Sequence, residues 1–343
     1  MGKKGAAAVV LAAGALAASG AIIASAGETT SARDGASSAG NGASSARNGR
    51  ISFDSFFSRA EQGDIHAVAP DGSGRIALVR SRADETESAW SPDGTRFAFA
   101  RIVGYGKSGI FIRNADGTGE RVLLGTGRFH LGPSWSPDGS RIAFYSDRAF
   151  PAPKSQDDPP PPHELFTINV DGTDLRRITD DRHNDYDPVW SRDGNTLYFT
   201  SDRDATERSP LNAYSVPAAG GPVRRLTPRG GRMEWNPQVS PDGRTLAIES
   251  AAGAGKQSDL YRMNADGTGM RPLLRGPAFE THPIWSPDGT QIGFTSDRHA
   301  RKRSRERLNA RFELYVMNVD GTGIRRLTRD RLPTVFPDWQ PSP

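Results

Sequence analysis

The chain of 343 residues is 24% charged and 35% hydrophobic, and its formal net charge at pH 7 is +4. It has no cysteine, which excludes disulfides, thiolate metal sites, a cysteine nucleophile and a lipid anchor on cysteine. Its 38 glycines and 25 prolines favour turns and short strands over long helices, and its small net charge gives no argument for nucleic acid as a partner.

The first predicted element, residues 1–26, is an export signal. Lys3 and Lys4 stand before an uncharged stretch rich in alanine, which ends in Ala-Ser-Ala at Ala26 and fits a cleavage site there. About 20 apolar residues can span a bilayer, so an uncleaved membrane anchor is the alternative. Either interpretation predicts an extracytoplasmic protein that is secreted, periplasmic or tethered to the cell surface. No later segment of the sequence is apolar enough to cross a membrane.

The next segment, residues 27–48, is rich in serine, alanine and glycine with scattered arginines. Such a composition cannot bury enough apolar surface to fold, and it predicts a flexible tether. The folded domain is therefore expected to comprise residues 49–343.

Internal repeats dominate that domain. One short strand recurs at six anchor positions, which are Trp90, Trp135, Trp190, Val239, Trp285 and Trp339. The anchors are 45 to 55 residues apart, and each of the first five is followed by an Asp-Gly turn. Two alternating runs and a second turn follow, as in Arg141–Ser146, Glu164–Val170 and the turn at Asp171. Because Asp-Gly between alternating strands is typical of hairpins, each unit is predicted to form four antiparallel strands, a to d.

Repeats of this length with four strands each are typical of β-propeller blades, and their number predicts six blades. The first unit begins at Gly49 and lacks strand a, whereas Val335–Gln340 is a strand a without the rest. We therefore expect the C-terminal strand to join the first blade and close the ring, which leaves no sheet edge open. The predicted class is an all-β, six-bladed propeller of four-stranded antiparallel blades, and we expect a monomer.

The consensus PxWSPDGxxIAFxSDR…ELYxMNxDGTGxRRLT resembles the repeat of the TolB-like six-bladed propellers, over residues 49–343. The resemblance implies the propeller fold and a protein or peptide partner from the cell envelope, bound at the channel face. TolB itself has a separate α/β domain before its propeller, where this sequence has only the tether. The role of TolB in an envelope-spanning complex is therefore not implied.

The repeated motifs themselves are interpreted as structural. Aspartate suits the first turn because it bonds its own backbone while the following glycine accepts positive φ. A calcium loop would need several oxygens in one short stretch, and each turn offers about one. The tryptophans are expected to pack between adjacent blades. The paired arginines of strand d, such as Arg325 and Arg326, are interpreted as a solvated rim.

Two columns of residues upstream of the anchors form the predicted binding site. Five positions before the anchors stand Glu85, His130, Asp185, Glu234, Glu280 and Thr334. Three positions before the anchors stand Glu87, Gly132, Asp187, Asn236, His282 and Phe336. Strand a is the innermost strand, and residues two apart share a strand face. Both columns are therefore expected to ring the mouth of the central channel.

This acidic, histidine-containing ring is expected to bind a divalent cation or a basic peptide segment, and no other cofactor is predicted. Hard cations suit its carboxylates, and transition metals suit its histidines. The alternative is that both columns cap the start of each blade through hydrogen bonds to the backbone. Both interpretations stay open at the level of sequence.

A second, basic site is predicted in the b–c loop of the sixth blade, residues 298–311. Its charge lies mainly on Arg301, Lys302, Arg303, Arg305 and Arg307. The expected targets are anionic, namely a cell-wall polymer, lipid headgroups or an acidic protein. A solvated loop is the alternative. The loop has no interleaved aromatic residues, which argues against a single-stranded nucleic acid.

No catalytic motif is visible, because the sequence lacks a G-x-S-x-G elbow, a phosphate loop and a dinucleotide fingerprint. We therefore predict a non-catalytic, extracytoplasmic module that binds a protein or peptide at the channel mouth. The alternative is a metal-assisted lyase or hydrolase acting on an acidic polysaccharide, since lyases of this kind use similar repeats with histidines and a metal at the channel mouth. His130, His183 and His282 would hold that metal, and Arg128 or Arg182 would bind the sugar carboxylate.

Overall fold

The structure, a computed structural model, describes residues 48–55, 63–104, 106–152, 158–206, 210–254, 256–300, 312–329 and 333–342. The predicted signal, the tether up to residue 47 and the five named basic-loop residues lie outside these ranges. Every regular element within them is a β-strand. The described part of the chain accordingly contains no helix with the length and apolarity that a membrane crossing requires.

The strands form six four-stranded antiparallel sheets, which are the six blades of a propeller. Blade 1 comprises β24 (Thr334–Pro341), β1 (Asn48–Ser55), β2 (Asp64–Val68) and β3 (Ile76–Val79). Blade 2 comprises β4 (Asp84–Trp90), β5 (Arg96–Gly104), β6 (Lys107–Asn114) and β7 (Arg121–Arg128). Blade 3 comprises β8 (His130–Trp135), β9 (Arg141–Ser146), β10 (Glu164–Asn169) and β11 (Arg176–Arg177).

The remaining three blades repeat this order from strand a to strand d. Blade 4 comprises β12 (Asp185–Trp190), β13 (Thr196–Ser201), β14 (Asn212–Pro217) and β15 (Arg224–Arg225). Blade 5 comprises β16 (Met233–Val239), β17 (Thr245–Ala251), β18 (Ser258–Asn264) and β19 (Arg271–Leu274). Blade 6 comprises β20 (Glu280–Trp285), β21 (Gln291–Ser296), β22 (Glu313–Asn318) and β23 (Arg325–Arg326). The predicted class and blade number are confirmed.

The ring closes through the last strand, as predicted from the incomplete first and last repeats. β24 pairs antiparallel with β1, with Ile51 opposite Trp339 and Ser55 opposite Thr334. Strand a of blade 1 thus comes from the C-terminal end of the described chain and strands b to d come from its beginning. Blade 1 thus has four strands, and β24 covers the edge of β1 that would otherwise be unpaired.

The anchor tryptophans join neighbouring blades. Trp135 Nε1 donates to Ala89 O at 3.0 Å, and Trp190 Nε1 donates to Ser134 O at 3.1 Å. In both cases the acceptor lies in strand a of the preceding blade, so the indole lies between two blades. The ring contributes apolar area to the interface while its one polar atom keeps a hydrogen bond, which is why tryptophan suits this position.

The repeated Asp-Gly motif forms the a–b turn. Ser91 Oγ donates to Asp93 Oδ1 at 2.5 Å, Thr95 N donates to the same oxygen at 3.0 Å, and Gly94 has φ of 66°. The hydrogen bond from Ser91 is the largest cause of a lowered pKa at Asp93, so the carboxylate stays ionised in the turn. The same geometry recurs at Asp138, Asp193, Asp242 and Asp288.

The arginine pairs of strand d are not merely a solvated rim, because one arginine of the pair binds the next blade and the other binds its own blade. Arg325 Nη2 donates to Pro70 O of the next blade at 2.8 Å, and Arg326 Nη2 lies 2.5 Å from Glu313 Oε1 in its own blade. Related contacts occur for Arg121 with Val170, Arg224 with Asp266, Arg177 with Glu164 and Arg225 with Asn212. The guanidinium group of each arginine thus has a hydrogen-bond partner in the propeller, and the sequence did not predict these contacts.

Candidate functional site

Strand a of every blade is interrupted at the same position, three residues before the anchor. In β4, for example, the pairing register shifts between Thr86 and Ala89. The residues at this position all have positive φ: Glu87 (54°), Gly132 (62°), Asp187 (52°), Asn236 (53°), His282 (51°) and Phe336 (47°). Five of the six are not glycine, and such a conformation costs a non-glycine residue on the order of 1–3 kcal/mol. We call these six residues the bulge ring.

The backbone of the bulge ring is held by the preceding blade. Glu87 N donates to Asp54 Oδ2 at 2.8 Å, and His282 N donates to Glu249 Oε1 at 2.8 Å. Asn236 N makes the corresponding contact with a threonine hydroxyl of β13 at 2.9 Å. The acceptor comes from strand b in each case. The positive-φ conformation therefore has hydrogen-bond partners that the surrounding blades supply.

Gly132 is the one glycine of the ring, and its neighbours explain why. A Cβ on Gly132 would lie 2.7 Å from Tyr145 Cε1, closer than real Cβ contacts. Its N–H donates to Glu87 Oε2 at 2.5 Å. The tyrosine ring thus occupies the space of the missing side chain, and the backbone orients the neighbouring glutamate.

The bulge ring surrounds a cavity of about 240 Å³ on the propeller axis, lined by strand a of all six blades. Of the nine predicted channel-mouth residues, four line this cavity: Glu87, Asp187, Asn236 and His282. Phe336 also lines it, and its ring centroid lies 4.6 Å from that of His282 at an interplanar angle of 72°. The cavity therefore has an acidic side on blades 2 and 4, and the His282–Phe336 pair with a further acid, Asp338, on blades 6 and 1.

The other five predicted residues do not line the cavity, which corrects the expected geometry. They are Glu85, His130, Asp185, Glu234 and Glu280, and each is at most 3% exposed. The parity argument fails because it assumes a regular strand. The residues of the second column have positive φ at the bulge, which breaks the alternation of side-chain directions along strand a.

Three of these buried acids are paired with arginines. Asp185 Oδ1 lies 2.9 Å from Arg203 Nη2, and Glu280 Oε1 lies 2.8 Å from Arg298 Nη2. Glu85 makes the corresponding contact with the arginine at position 101 of β5, at 2.8 Å. Burial raises the pKa of Asp185 to about 6, and the charge of Arg203 opposes the rise. The pairs hold strand a to strand b and its following loop.

His130 and Glu234 occupy the same buried column without such a pair. His130 Nδ1 lies 2.8 Å from Ser146 Oγ, and burial, aided by the charges of Arg148 and Arg128, lowers the pKa of His130 to about 3. This imidazole is therefore neutral. Burial raises the pKa of Glu234 to about 7.

The acids of the cavity differ from those of the buried column. Glu87 is 8% exposed, and its Oε1 has no hydrogen-bond partner among the described residues. Asp187 keeps part of its surface open to the cavity, and its Oδ2 is likewise unpartnered. Burial, with a smaller effect of the Asp54 charge, raises the pKa of Glu87 to about 8. Burial, followed by the charges of Glu87 and Glu249, raises the pKa of Asp187.

Two residues that the sequence interpretation missed, Asp54 and Glu249, support the bulge ring from strand b. They occupy the same strand-b position in blades 1 and 5, where other blades have alanine, tyrosine or threonine. Acidic residues in the buried middle of a strand could have been noticed in the sequence, because charged groups are rarely fully buried without a role.

A separate acidic cluster is fully engaged with arginines. Carboxylate oxygens of Glu164, Asp181 and Asp185 lie within 4.8 Å of one another, close enough for a shared metal ion. Arg203 Nη1 lies 2.7 Å from Asp181 Oδ2, and Arg177 Nη2 lies 2.8 Å from Glu164 Oε1. Two guanidinium groups thus supply the positive charge that a metal ion would otherwise supply. The cluster is therefore an ion-pair network.

The three histidines considered for a lyase lie in different environments. Of these, His282 lines the cavity, and burial lowers its pKa to about 4. His130 belongs to the buried column. His183 has a 43% exposed side chain, with Nδ1 3.6 Å from Asp202 Oδ1. The described structure therefore does not gather them into one metal-binding set.

Known sequences match parts of this chain. The family described as TolB beta propeller domain matches residues 155–256. The Tol-Pal system protein TolB of Anaeromyxobacter dehalogenans is 32% identical over 123 residues, which cover 36% of this chain and 26% of the relative. The matched part thus spans about a quarter of the length of this curated relative.

Comparison with solved structures covers more of the chain. The crystal structure of TolB from Acinetobacter baumannii has a TM-score of 0.68 and 22% identity, over 86% of this chain and 67% of that one. The oligogalacturonate lyase from Vibrio parahaemolyticus has a TM-score of 0.53 and 15% identity, over 79% of this chain and 72% of that one. At these identities the two structures support a shared fold and leave the activity open.

Proposed function

Because this chain carries a TolB-like six-bladed propeller, we propose that it is a non-catalytic module that binds a segment of a cell-envelope protein in the axial cavity. The observation that carries the proposal is the bulge ring, in which five non-glycine residues have positive φ around one cavity. Such backbone conformations cluster at ligand clamps and binding sites, because the surrounding structure has to maintain them.

The size of the cavity favours a peptide segment as the ligand. Pockets for drug-sized molecules occupy about 300–1,000 Å³, and the cavity of about 240 Å³ is smaller. One or two side chains of an extended segment fit such a volume. The His282–Phe336 pair offers an aromatic wall for an apolar part of the segment, and aromatic side chains contribute strongly to binding at interfaces.

The proposed location is extracytoplasmic. Residues 1–26 would direct export or anchor the protein, residues 27–47 would act as a tether, and the binding domain would begin with Asn48 in β1. Support comes from the order of charged and apolar residues at the N-terminus and from similarity to a Tol-Pal system protein. We further propose that the basic loop, residues 301–307, gives a second contact with an anionic polymer.

Site-specific photo-crosslinking tests the proposed binding face. A diazirine amino acid about the size of leucine at Val189, which lines the cavity, should crosslink to envelope-protein segments of the organism of origin, identified by mass spectrometry. The same amino acid at Asp116, in an exposed c–d turn outside the cavity lining, is the matched control. Crosslinks from position 116 and none from position 189 would contradict the proposed site.

The alternative of a metal-assisted lyase or hydrolase has less support, because the three histidines that would hold the metal are not gathered. We expect oligogalacturonate to be unchanged by the purified protein with manganese or calcium present, measured as ultraviolet absorbance of unsaturated products. An absorbance increase that chelator abolishes would favour the enzyme over the binding module.

A further inference from the structure

Three buried polar atoms of adjacent blades have no hydrogen-bond partner within the described chain. They are Glu87 Oε1 of blade 2, Tyr145 Oη of blade 3 and Asp187 Oδ2 of blade 4. Glu87 and Asp187 line the acidic side of the cavity. The ring of Tyr145 lies beside it against Gly132, whose N–H donates to Glu87. Because an unsatisfied buried polar atom costs about 1–3 kcal/mol, three of them at and beside one cavity indicate a missing ligand.

The distribution of arginines strengthens this indication. The chain supplies an arginine to each of the buried acids Glu85, Asp185 and Glu280. No arginine or lysine of the described residues forms an ion pair with Glu87 or Asp187. Two carboxyl groups next to each other without a cation oppose ionisation in both. A cationic ligand would supply the charge that the chain itself provides elsewhere.

We propose that the bound segment inserts a lysine-type ammonium group between Glu87 and Asp187, under the Tyr145 hydroxyl. This inference rests on the proposed peptide-binding function and names the side chain that the cavity selects. An ammonium group has three donors, which matches the three unpartnered oxygens. Gly132 keeps the gap open, because any larger side chain there would meet Tyr145.

The number of oxygens favours an organic cation over a calcium ion. Calcium takes about 6–8 oxygen ligands, whereas two unpartnered oxygens belong to residues that line this part of the cavity and a third, Tyr145 Oη, belongs to a residue beside it. The second oxygen of Glu87 already accepts from Gly132 N. The ammonium group of a lysine has three donors, so it needs only three acceptor oxygens.

The rest of the cavity suits the stem of a lysine. Pro188 and Pro283 line the cavity, together with the rings of His282 and Phe336. Lysine packs its methylene groups along apolar surface while its ammonium group finds polar partners. His282 is neutral because burial lowers its pKa to about 4, so it does not repel the incoming charge.

The test compares two peptides that differ in one charge. The probes are acetyl-Gly-Gly-Lys-Gly-Gly-amide and the same peptide with an Nε-acetylated lysine. Binding is followed by tryptophan fluorescence, since Trp90 and Trp135 line the cavity. The lysine peptide should bind about tenfold to hundredfold more tightly, as expected for buried hydrogen bonds to a charged group.

Single substitutions show which residues cause the preference for the charged peptide. Glu87→Gln and Asp187→Asn should each remove most of the preference for the charged peptide, with folding checked by thermal melting. Asp180→Asn changes the net charge equally at a side chain that is 79% exposed, and it should leave the preference unchanged. Loss of preference in Asp180→Asn to the same extent would mean general charge attraction and would overturn the inference. If one cavity variant fails to fold, the other decides.

Other outcomes separate this inference from the proposed function. Equal binding of both peptides that is lost in Val189→Trp, which fills the cavity, would overturn the ammonium inference and leave peptide binding in place. No binding of either peptide would also overturn it, and the crosslinking experiment then decides the proposed function. Calcium or manganese that binds in one equivalent and is lost in Glu87→Gln would mean that a metal takes this place.

Discussion

At the scale of single residues, the site depends on backbone conformations that most side chains avoid. Asn, Asp and His accept positive φ more readily than other non-glycine residues, and the ring contains Asp187, Asn236 and His282. Glu87 and Phe336 are less suited, and Glu87 is held by a hydrogen bond from its N–H to Asp54. The conformation is therefore imposed by neighbouring blades and not by local preference alone.

Gly132→Ala tests how tightly the neighbouring blades hold the positive-φ conformation at this position. We expect a loss of about 1–3 kcal/mol in the free energy of unfolding, from overpacking against Tyr145 and from the positive φ. Urea unfolding measures it. Gly125→Ala in β7 is the matched control, because no atom lies within 4 Å of its added Cβ and its φ is not positive. Equal stability of the two variants would contradict the tight fit at Gly132.

The buried acids predict an unusual dependence of stability on pH. Burial, opposed by hydrogen bonds from Thr86 and Glu87, raises the pKa of Asp54 from 3.8 to about 8. The folded state then holds a proton that the unfolded state has released. The free energy of unfolding should therefore fall as pH rises from about 4 to about 8, by up to about 1.4 kcal/mol per pH unit for each such carboxyl.

Asp54→Asn should reduce this slope, because the amide carries no titrating proton. Chemical unfolding at several pH values between 5 and 8 gives the comparison. Asp116→Asn in an exposed turn should retain the slope of the original protein, since the pKa of Asp116 is lowered by its hydrogen bonds with Thr118. A slope that is equally steep in Asp54→Asn would contradict the raised pKa of Asp54.

At the scale of elements, strand a is regular at its two ends and bulged between them, and the two columns have different tasks. The start of the strand joins buried acids to arginines of strand b and its loop, and the bulge forms the cavity wall. The capping interpretation expected hydrogen bonds from both columns to the backbone, whereas the buried acids Glu85, Asp185 and Glu280 pair with arginine side chains. The binding interpretation remains a proposal for the bulge ring.

Arg203→Met tests the structural role of one such pair. Arg203 is 14% exposed and its partner Asp185 is fully buried. Removing the guanidinium leaves a buried carboxyl without its counter-charge, and we expect a loss of about 3–5 kcal/mol. Arg176→Met is the control, because Arg176 is 55% exposed and pairs with the partly exposed Asp174. The control should lose at most about 1 kcal/mol, as exposed ion pairs do.

Strand order, turns and ring closure could be predicted because each depends on a local and repeated pattern. The bulge ring could not, because the position carries six different residues and its conformation is held by hydrogen bonds that its N–H groups donate to the preceding blade. The ion pairs could have been predicted in part from the spacing of acids and arginines in the sequence. Asp185 and Arg203 are 18 positions apart, and so are Glu280 and Arg298. That regular spacing could have separated paired acids from cavity acids.

At the scale of the whole molecule, stability depends on the seam between β1 and β24. Trp339 and Ile51 pack in one buried cluster with residues of blade 6. All six blades contribute to the cavity, so an incomplete blade 1 would also open the cavity wall. Both the closed ring and the cavity therefore require that β24 pairs with β1.

Deleting residues 334–343 should abolish cooperative unfolding, because the inner edge of blade 1 and the Trp339 contacts are lost. Deleting residues 342–343 should have little effect, since both lie beyond β24. Thermal unfolding followed by circular dichroism distinguishes the two. A permuted chain that places residues 334–341 before Asn48, joined by a Ser-Pro-Asp-Gly turn, should recover the transition, because Asn48 already lies opposite Pro341.

The seam also fixes the orientation of a propeller that is held by its N-terminal side. Asn48 Nδ2 lies 2.9 Å from Asp288 Oδ2, so the chain enters the ring among the a–b turns. Strand a of each blade begins at the opposite end, where Glu85, Asp185 and Glu280 lie. With the tether proposed above, a pull on the N-terminal side would act on one rim and leave the other rim facing away from the attachment. A partner approaching that other rim would meet the start of every innermost strand without passing the point of attachment.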